Sequence, residues 1–202
     1  MKKTYGDRMI VQEWMALALI DLTKEKPFEK ITVTEITKHA GVSRMTFYRN
    51  YHSTQEILES YLNYLTEVNT EGVREEMQNS SNFDYTLFQF HFFKQHASFL
   101  KGMIQAGKAD MILQKMNENI DKAIGIEKKY ELRGYTGMLY NILLTWISED
   151  FYTPAEKLNS IIQNVYDKDT ILSINNSFIN VYIKLIDESD HTSIYHFQNE
   201  EH

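Results

Sequence analysis

The chain has 202 residues and a formal net charge of −7, with 43% apolar residues, eight glycines, two prolines and no cysteine. That length holds one large domain or two small ones sharing a core, and the scarcity of breakers favours long helices. The absence of cysteine excludes disulfides, thiolate zinc sites and cysteine nucleophiles together, and fits a reducing cytoplasm.

The first residues, MKKTYGDRMIVQEW, turn polar at once and lack the apolar run of a signal peptide. No stretch approaches the roughly 18 uncharged apolar residues of a membrane span. A cytoplasmic protein is therefore expected. Charge is unevenly placed. Residues 1–52 carry nine Lys/Arg against six Asp/Glu, net +3, while residues 53–202 carry 12 against 22, net −10. Screening over about 8 Å in physiological salt lets the positive end approach phosphate while the acidic body stays remote.

Helical periodicity dominates from the start. Val11, Trp14, Ala18 and Leu22 recur at helical spacing, predicting a first helix over 6–25 that stops before Pro27. Thr32-x-x-Glu35 is a capping box opening a short helix over 33–39. Gly41 supplies a turn, and Ser43 caps a third helix that ends near Tyr51. Ser53-x-x-Glu56 is a second capping box, which starts a long helix over 54–78. The stretch QNSSN (78–82) is a connector, and an aromatic-rich segment follows it. Helices over 84–95, 97–106 and 109–124 fit there, punctuated by Gly107 and Gly125. Residues 130–150 form a strongly apolar helix. Thr153-Pro154-x-Glu156 opens another over 154–166. Ile171, Ile174, Phe178, Val181 and Leu185 mark a final amphipathic helix, and 189–202 reads as a polar tail. The expected fold is all-α, with a three-helix unit over 1–52, a helical region over 53–188 and that tail.

Residues 31–51, ITVTEITKHAGVSRMTFYRNY, have the makings of a helix-turn-helix. Ala40 is small where the helices touch, Gly41 forms the turn, and Ile36, Val42 and Phe47 hold the crossing angle. The second helix would present free backbone N–H groups and a positive dipole end at Ser43. In such a motif this helix enters the major groove with its N-terminal residues at base edges. Arg44 suits bidentate recognition of guanine, Thr46 a base or phosphate, and Met45 an apolar contact. Tyr48, Arg49 and His52 lie farther along, where they suit phosphates and position the protein without specifying sequence. From spacing alone, a capped three-helix bundle without DNA binding gives the same pattern.

The longer stretch ITVTEITKHAGVSRMTFYRNYHSTQEIL resembles the N-terminal domain of TetR-family transcriptional regulators. The resemblance covers roughly residues 8–60 and rests on Thr-x-x-x-Ile followed by Ala-Gly-Val-Ser-x-x-Thr-Phe-Tyr. It implies a bacterial, all-helical homodimer that binds double-stranded DNA. Each subunit would carry a C-terminal domain for a small hydrophobic effector and for dimer contacts. By resemblance, Thr34, Arg44, Met45, Thr46, Tyr48 and His52 fall at DNA-contacting positions. Thr37 stands where Ala is usual, Tyr51 where Phe is usual, and Gln55 where Lys commonly meets phosphate. The segments FHFFKQHASFLKGMIQAG and GMLYNILLTWISEDFYTPAEKL are similar to the C-terminal domain of one TetR subgroup, after which about 35 further residues follow here.

Effector candidates are Phe88, Phe92, Phe99, Met103, Tyr140 and Trp146, although aromatics at helical spacing also serve as plain core. His91, His96, Gln105 and Asn141 could supply polar groups to a pocket. Dimer candidates are Leu132, Tyr135, Leu139, Ile142 and Leu143 with Trp146, aided by Gly134 and Gly137, in a four-helix bundle about a two-fold axis that includes 154–166. A buried central helix would show the same face. No cofactor and no metal are expected: His91 and His96 are five apart, and His191 and His196 lie in the tail. Without a phosphate loop or a nucleophile elbow, an enzyme is not expected. The leading function is a repressor released from a palindromic operator by a small molecule. The alternative is an activator or co-regulator whose C-terminal domain binds a protein.

Overall fold

The computed structural model of the chain describes the backbone at residues 5–80, 82–123 and 126–198, and side chains at 11–80, 82–121 and 128–185. Among the described residues there are ten α-helices, one 3-10 turn and no strand. In chain order these are α1 (Tyr5–Thr23), the 3-10 turn (Phe28–Lys30), α2 (Val33–His39), α3 (Arg44–Asn50), α4 (Thr54–Asn79) and α5 (Tyr85–Gln95). Then follow α6 (Ala97–Gln105), α7 (Ala109–Ala123), α8 (Ile126–Ser148), α9 (Ala155–Val165) and α10 (Lys168–Gln198). Among the described residues no helix is long and apolar enough to cross a membrane. The turn expected at Gly125, the side chains of His191 and His196, and the end of the tail lie outside the described residues.

The chain divides into two compact units. The first comprises residues 1–67 and 96–112, the second 68–95 and 113–202. In the first unit α1 packs on α2 and α6. Its buried side is Met15, Ala16, Ala18, Leu19, Ile20 and Leu22. Trp14, counted above with the inward stripe, is instead 51% exposed, because the buried arc is centred on Met15 and Leu19 and leaves position 14 at its edge. Gly102 of α6 lies so close to Ile20 that an added Cβ would meet Ile20 Cγ2 at 1.8 Å. Phe99 and Met103 are buried beside this contact, with Phe99 edge-on to Tyr61 at 4.7 Å. Two hydrogen bonds tie α1 to α4, from Gln12 to Ser60 (2.9 Å) and from Tyr61 to Glu13 (3.2 Å). Burial and the Glu13 carboxylate push the Tyr61 hydroxyl well up from its ordinary pKa.

In the second unit α5 packs on α9 and α10, and α10 on α8. The apolar face of α8, Leu132, Tyr135, Leu139, Leu143 and Trp146, is buried here. Trp146 donates its indole N–H to the Thr153 carbonyl (2.7 Å) and meets Phe151 at 4.8 Å and Phe90 at 5.6 Å. This seats the α8–α9 turn, where Asp150 and Phe151 both adopt positive φ.

Residues 171–182 of α10 are part of this core. Ile171, Ile174, Phe178, Val181 and Tyr182 are buried, and Phe178 stacks on Tyr85 at 4.5 Å. The helix continues to Gln198, through most of the stretch read above as a tail. A buried polar network crosses the unit. Asn69 and Gln89 exchange two amide hydrogen bonds of 3.2 Å, and Tyr182 donates to Asn69 Oδ1 at 2.6 Å. Thr86 and Tyr135 share a 2.6 Å hydroxyl contact. Burial raises both tyrosines to about 12.

Candidate functional site

Residues 31–52 form two short helices joined by a tight turn, and each piece has a local cause. At the start of α2 the Thr32 hydroxyl accepts from the Glu35 N–H, while the Glu35 carboxylate accepts from the Thr32 N–H at 2.9 Å. Lys26 also binds the Glu35 carboxylate. The Lys26 hydrogen bond, then the two from Thr32, hold the Glu35 carboxyl down at about 2. At the C-terminus Gly41 takes φ +69°. Its N–H bonds the Lys38 carbonyl (3.3 Å) and the Val42 N–H reaches the Thr37 carbonyl (2.9 Å). This is the paired 5→2 and 6→1 closure of a helix end, and the left-handed residue at its centre is why glycine sits there.

Ser43 then caps α3. Its hydroxyl oxygen accepts from the Thr46 N–H at 3.1 Å and contacts the Thr46 hydroxyl at 2.9 Å. Such a cap is worth about 1 kcal/mol. Ser43 and Thr46 are therefore occupied with each other in the free protein. Phe47 is buried against Tyr51 at 5.7 Å, and Ile36 is fully buried on α2. With Phe47 and Tyr51 inward, the other side of α3 must face water. Arg44, Met45, Tyr48, Arg49 and His52 are all exposed, as is Thr34 on α2. Met45 is 69% exposed and Tyr48 65% exposed, so two large, partly apolar side chains sit in water on one short helix. Large apolar groups grouped in this way mark a contact surface.

Electrostatics sharpen this face. Lys24 pairs with Asp21, Lys26 with Glu35, and Lys108 with Glu29. Lys30, Lys38, Arg44 and Arg49 form no ion pair with any described residue. Among the described residues of this unit, the cations without an ion pair thus lie at and beside α2 and α3. Sequence reasoning missed Lys30 and Lys38, because a lysine's pairing depends on neighbours that the sequence does not show. His52 is tied down differently: its N–H donates to Glu56 at 2.9 Å, and its Nδ1 lies 3.2 Å from the same carboxylate. Those bonds hold the Glu56 carboxyl below its ordinary pKa, the backbone N–H contributing most.

The three departures noted above have local outcomes. The Thr37 hydroxyl donates to the Val33 carbonyl of its own helix (2.9 Å) and offers nothing outward. The Tyr51 ring is buried like the phenylalanine it replaces. The Gln55 amide donates to Glu59 at 2.9 Å.

The effector candidates separate. A half-open cleft of about 470 Å³ lies in the second unit, lined by Val68, Gly72 and Glu76 of α4, by Asn82, Phe83 and Asp84, and by Leu87, Phe88, His91, Phe92 and Gln95 of α5, with Ser80. Phe88 and Phe92 are therefore brought together. Phe99 and Met103 belong to the core of the first unit, Trp146 to the α8–α9 turn, and Tyr140 is half-buried outside the lining. Glu76 and Asp84 were not foreseen. Glu76 reads as an ordinary solvated charge, and the connector gave no sign that it walls a cleft. Among the described residues no three His, Asp or Glu side chains gather as a metal site would require.

The dimer candidates lie mostly inside the second unit. Leu132, Tyr135, Leu139 and Leu143 are buried in the core of the second unit, and Ile142 is half-buried. The apolar face of α8 is met by α10, through Phe178 on Tyr135, and by α5, through Phe90 on Trp146.

Residues 18–61 match the family model described as "Bacterial regulatory proteins, tetR family". No curated protein matches the chain. The matched segment spans the end of α1, the two helices of the motif and the start of α4. Regulators of this family are non-enzymatic DNA-binding proteins.

Proposed function

We propose, starting from a chain that is a DNA-binding transcriptional regulator with a TetR-family N-terminal domain, that it is a cytoplasmic, homodimeric repressor released from its operator by a small molecule. The observation that carries the DNA-reading part is the exposed, charge-uncompensated outer face of α3. Arg44, Met45 and Thr46 would meet base edges, with Arg44 as the chief discriminator. Thr34, Ser43, Tyr48, Arg49 and His52 would hold the backbone, and Lys30 and Lys38 add to the same phosphate field. Thr46 would have to exchange its contact with Ser43 for one with DNA. Gln55, engaged by Glu59, removes one cationic phosphate contact and so flattens the salt dependence.

A dimer would set two α3 helices in successive major grooves, about 34–36 Å apart, on a palindromic site. With the apolar side of α8 buried, its outer stripe is the remaining candidate surface: Gly134, Gly137, Asn141 and Thr145. An added Cβ at either glycine meets nothing within 4 Å, so neither is required by its own chain. Each costs about 0.5–1 kcal/mol inside a helix, which supports a reason outside the subunit, namely close approach of a second helix. Ile161 and Val165 on α9 are further exposed apolar groups available to a second copy.

The cleft supports a small-molecule effector over a protein partner, since its volume suits a drug-sized ligand. A ligand that prefers one of two conformers by 1–3 kcal/mol, a typical coupling, would shift the DNA-bound fraction. The test is selection of bound duplexes from a random pool by wild type, Arg44→Ala and Tyr48→Phe. A palindrome for wild type is expected, with one base position relaxed in Arg44→Ala and uniform weakening in Tyr48→Phe. Failure of any sequence to enrich at low salt would defeat the reading.

A further inference from the structure

We propose that the cleft between α4 and α5 takes an amphiphilic organic cation, held by the Glu76 carboxylate and the faces of Phe83, Phe88 and Phe92. This rests on the ligand-gated reading above and names the chemical class of its ligand.

The lining decides the sign of the ligand. Among the described residues it contains two carboxylates, one imidazole and no lysine or arginine. An anion would find no cation to neutralise it there, and would face Glu76 and Asp84. Asp84 accepts from the Leu87 N–H (3.1 Å), Asn159 Nδ2 (2.7 Å) and Gln163 Nε2 (3.0 Å). All three donors are neutral, so they orient the carboxylate without cancelling its charge. Glu76 is exposed and forms no ion pair with any described residue, leaving its oxygens open to a ligand. His91 is already directed to Glu156 at 3.5 Å.

The aromatic groups decide the ligand's body. Phe83 and Phe88 meet edge to face at 5.6 Å, and Phe88 and Phe92 lie nearly parallel at 6.5 Å. A row of half-buried rings offers apolar area and electron-rich faces. Such faces attract a cation held within about 6 Å, most strongly where water is displaced. Gly72 makes the close wall possible, since a Cβ there would meet Phe88 Cζ at 2.9 Å. A neutral ligand would use the rings but gain nothing from the Glu76 carboxylate beside them. A small, hydrated cation would use the carboxylates but not the rings. The combination selects a bulky, weakly hydrated cation such as a quaternary ammonium or phosphonium.

The test uses two ions of matched size and shape and opposite charge, tetraphenylphosphonium and tetraphenylborate, titrated calorimetrically into the full-length protein. The phosphonium is expected to bind at least roughly tenfold more tightly. Glu76→Gln should weaken the phosphonium several-fold and leave the borate equal or stronger, narrowing the ratio. Phe92→Ala should weaken whichever ion binds. Glu76 is exposed, so its variant keeps the fold, which circular dichroism checks. Equal or tighter binding of the borate, no binding of either ion, or an unchanged ratio in Glu76→Gln would overturn the proposal. A second arm adds each ion to the complex with the selected duplex and follows anisotropy. Phosphonium binding that depends on Glu76 but leaves the complex intact keeps the cation site and removes the ligand-release reading. Release by the borate alone keeps ligand release and removes the cation.

Discussion

Replacing Asn69 by leucine tests whether the buried polar network holds the second unit together. Asn69 is 5% exposed and serves three hydrogen bonds: two with the Gln89 amide at 3.2 Å and one from Tyr182 at 2.6 Å. Leucine matches asparagine in heavy-atom count and branching and is somewhat larger, so the change removes the polar atoms without opening a cavity. Each buried group left without its partner costs about 1–3 kcal/mol. Tyr182 retains a weak contact with the Tyr85 hydroxyl at 3.5 Å, and Gln89 is close enough to hydrogen-bond Tyr182, so the losses are partly recovered. We expect Asn69→Leu to cost roughly 2–4 kcal/mol. The double variant Asn69→Leu/Gln89→Leu removes both amides together and leaves only the tyrosine to be satisfied. It should cost well under the sum of the two single changes, with a coupling of at least about 1 kcal/mol. The assay is urea unfolding followed by tryptophan emission in a Trp14→Phe background. The chain has two tryptophans, so Trp146 then reports on the second unit alone. Additive single effects, or a loss below about 0.5 kcal/mol for Asn69→Leu, would refute the reasoning.

Gly102→Ala should destabilise the first unit by about 1–3 kcal/mol, because the new methyl overlaps Ile20 and the helices must separate; urea unfolding monitored through Trp14 in a Trp146→Phe background measures it, and pairing with Ile20→Val should recover part of the loss. Gly41→Ala has open space around the new methyl but keeps a left-handed residue at φ +69°, so about 1 kcal/mol of backbone strain is expected, with weakened DNA binding from displacement of α3. Glu35 is held at about 2 in the folded chain against an ordinary value of 4.5, so its contribution is full above about pH 4.5 and is lost as pH falls towards 2. Glu35→Gln should flatten that part of the acid-unfolding curve, and a variant curve parallel to wild type would show the carboxylate to be irrelevant.

Local chemistry alone determined the motif. Thr32-x-x-Glu35, Gly41 and Ser43 each satisfy backbone groups within a few residues of themselves, so their roles can be read without knowing the rest of the chain. The two helix starts they specify fall where expected, and Phe47 and Ile36 turn inward because helical spacing leaves them no alternative. The match over residues 18–61 lies in this locally specified segment and the helices beside it.

Longer-range outcomes were not legible in that way. An apolar face says that a helix is covered, not what covers it. The face of α8 therefore served equally well for a dimer or a core, until α10 was seen packed on it. Phe88 and Phe99 look alike in sequence, eleven residues apart in one aromatic stretch, yet one lines a cleft and the other is buried against Tyr61 in the first unit. Charge pairing is also tertiary: Lys26 and Lys108 are neutralised by residues distant in sequence, while Lys38 and Arg44 are not. Sequence by itself determined where helices begin and which segment forms the helix-turn-helix, because those depend on contacts within a turn or two. Only the tertiary structure decided which apolar faces remain for partners, which charges stay uncompensated and where a cleft opens, because each depends on what packs opposite.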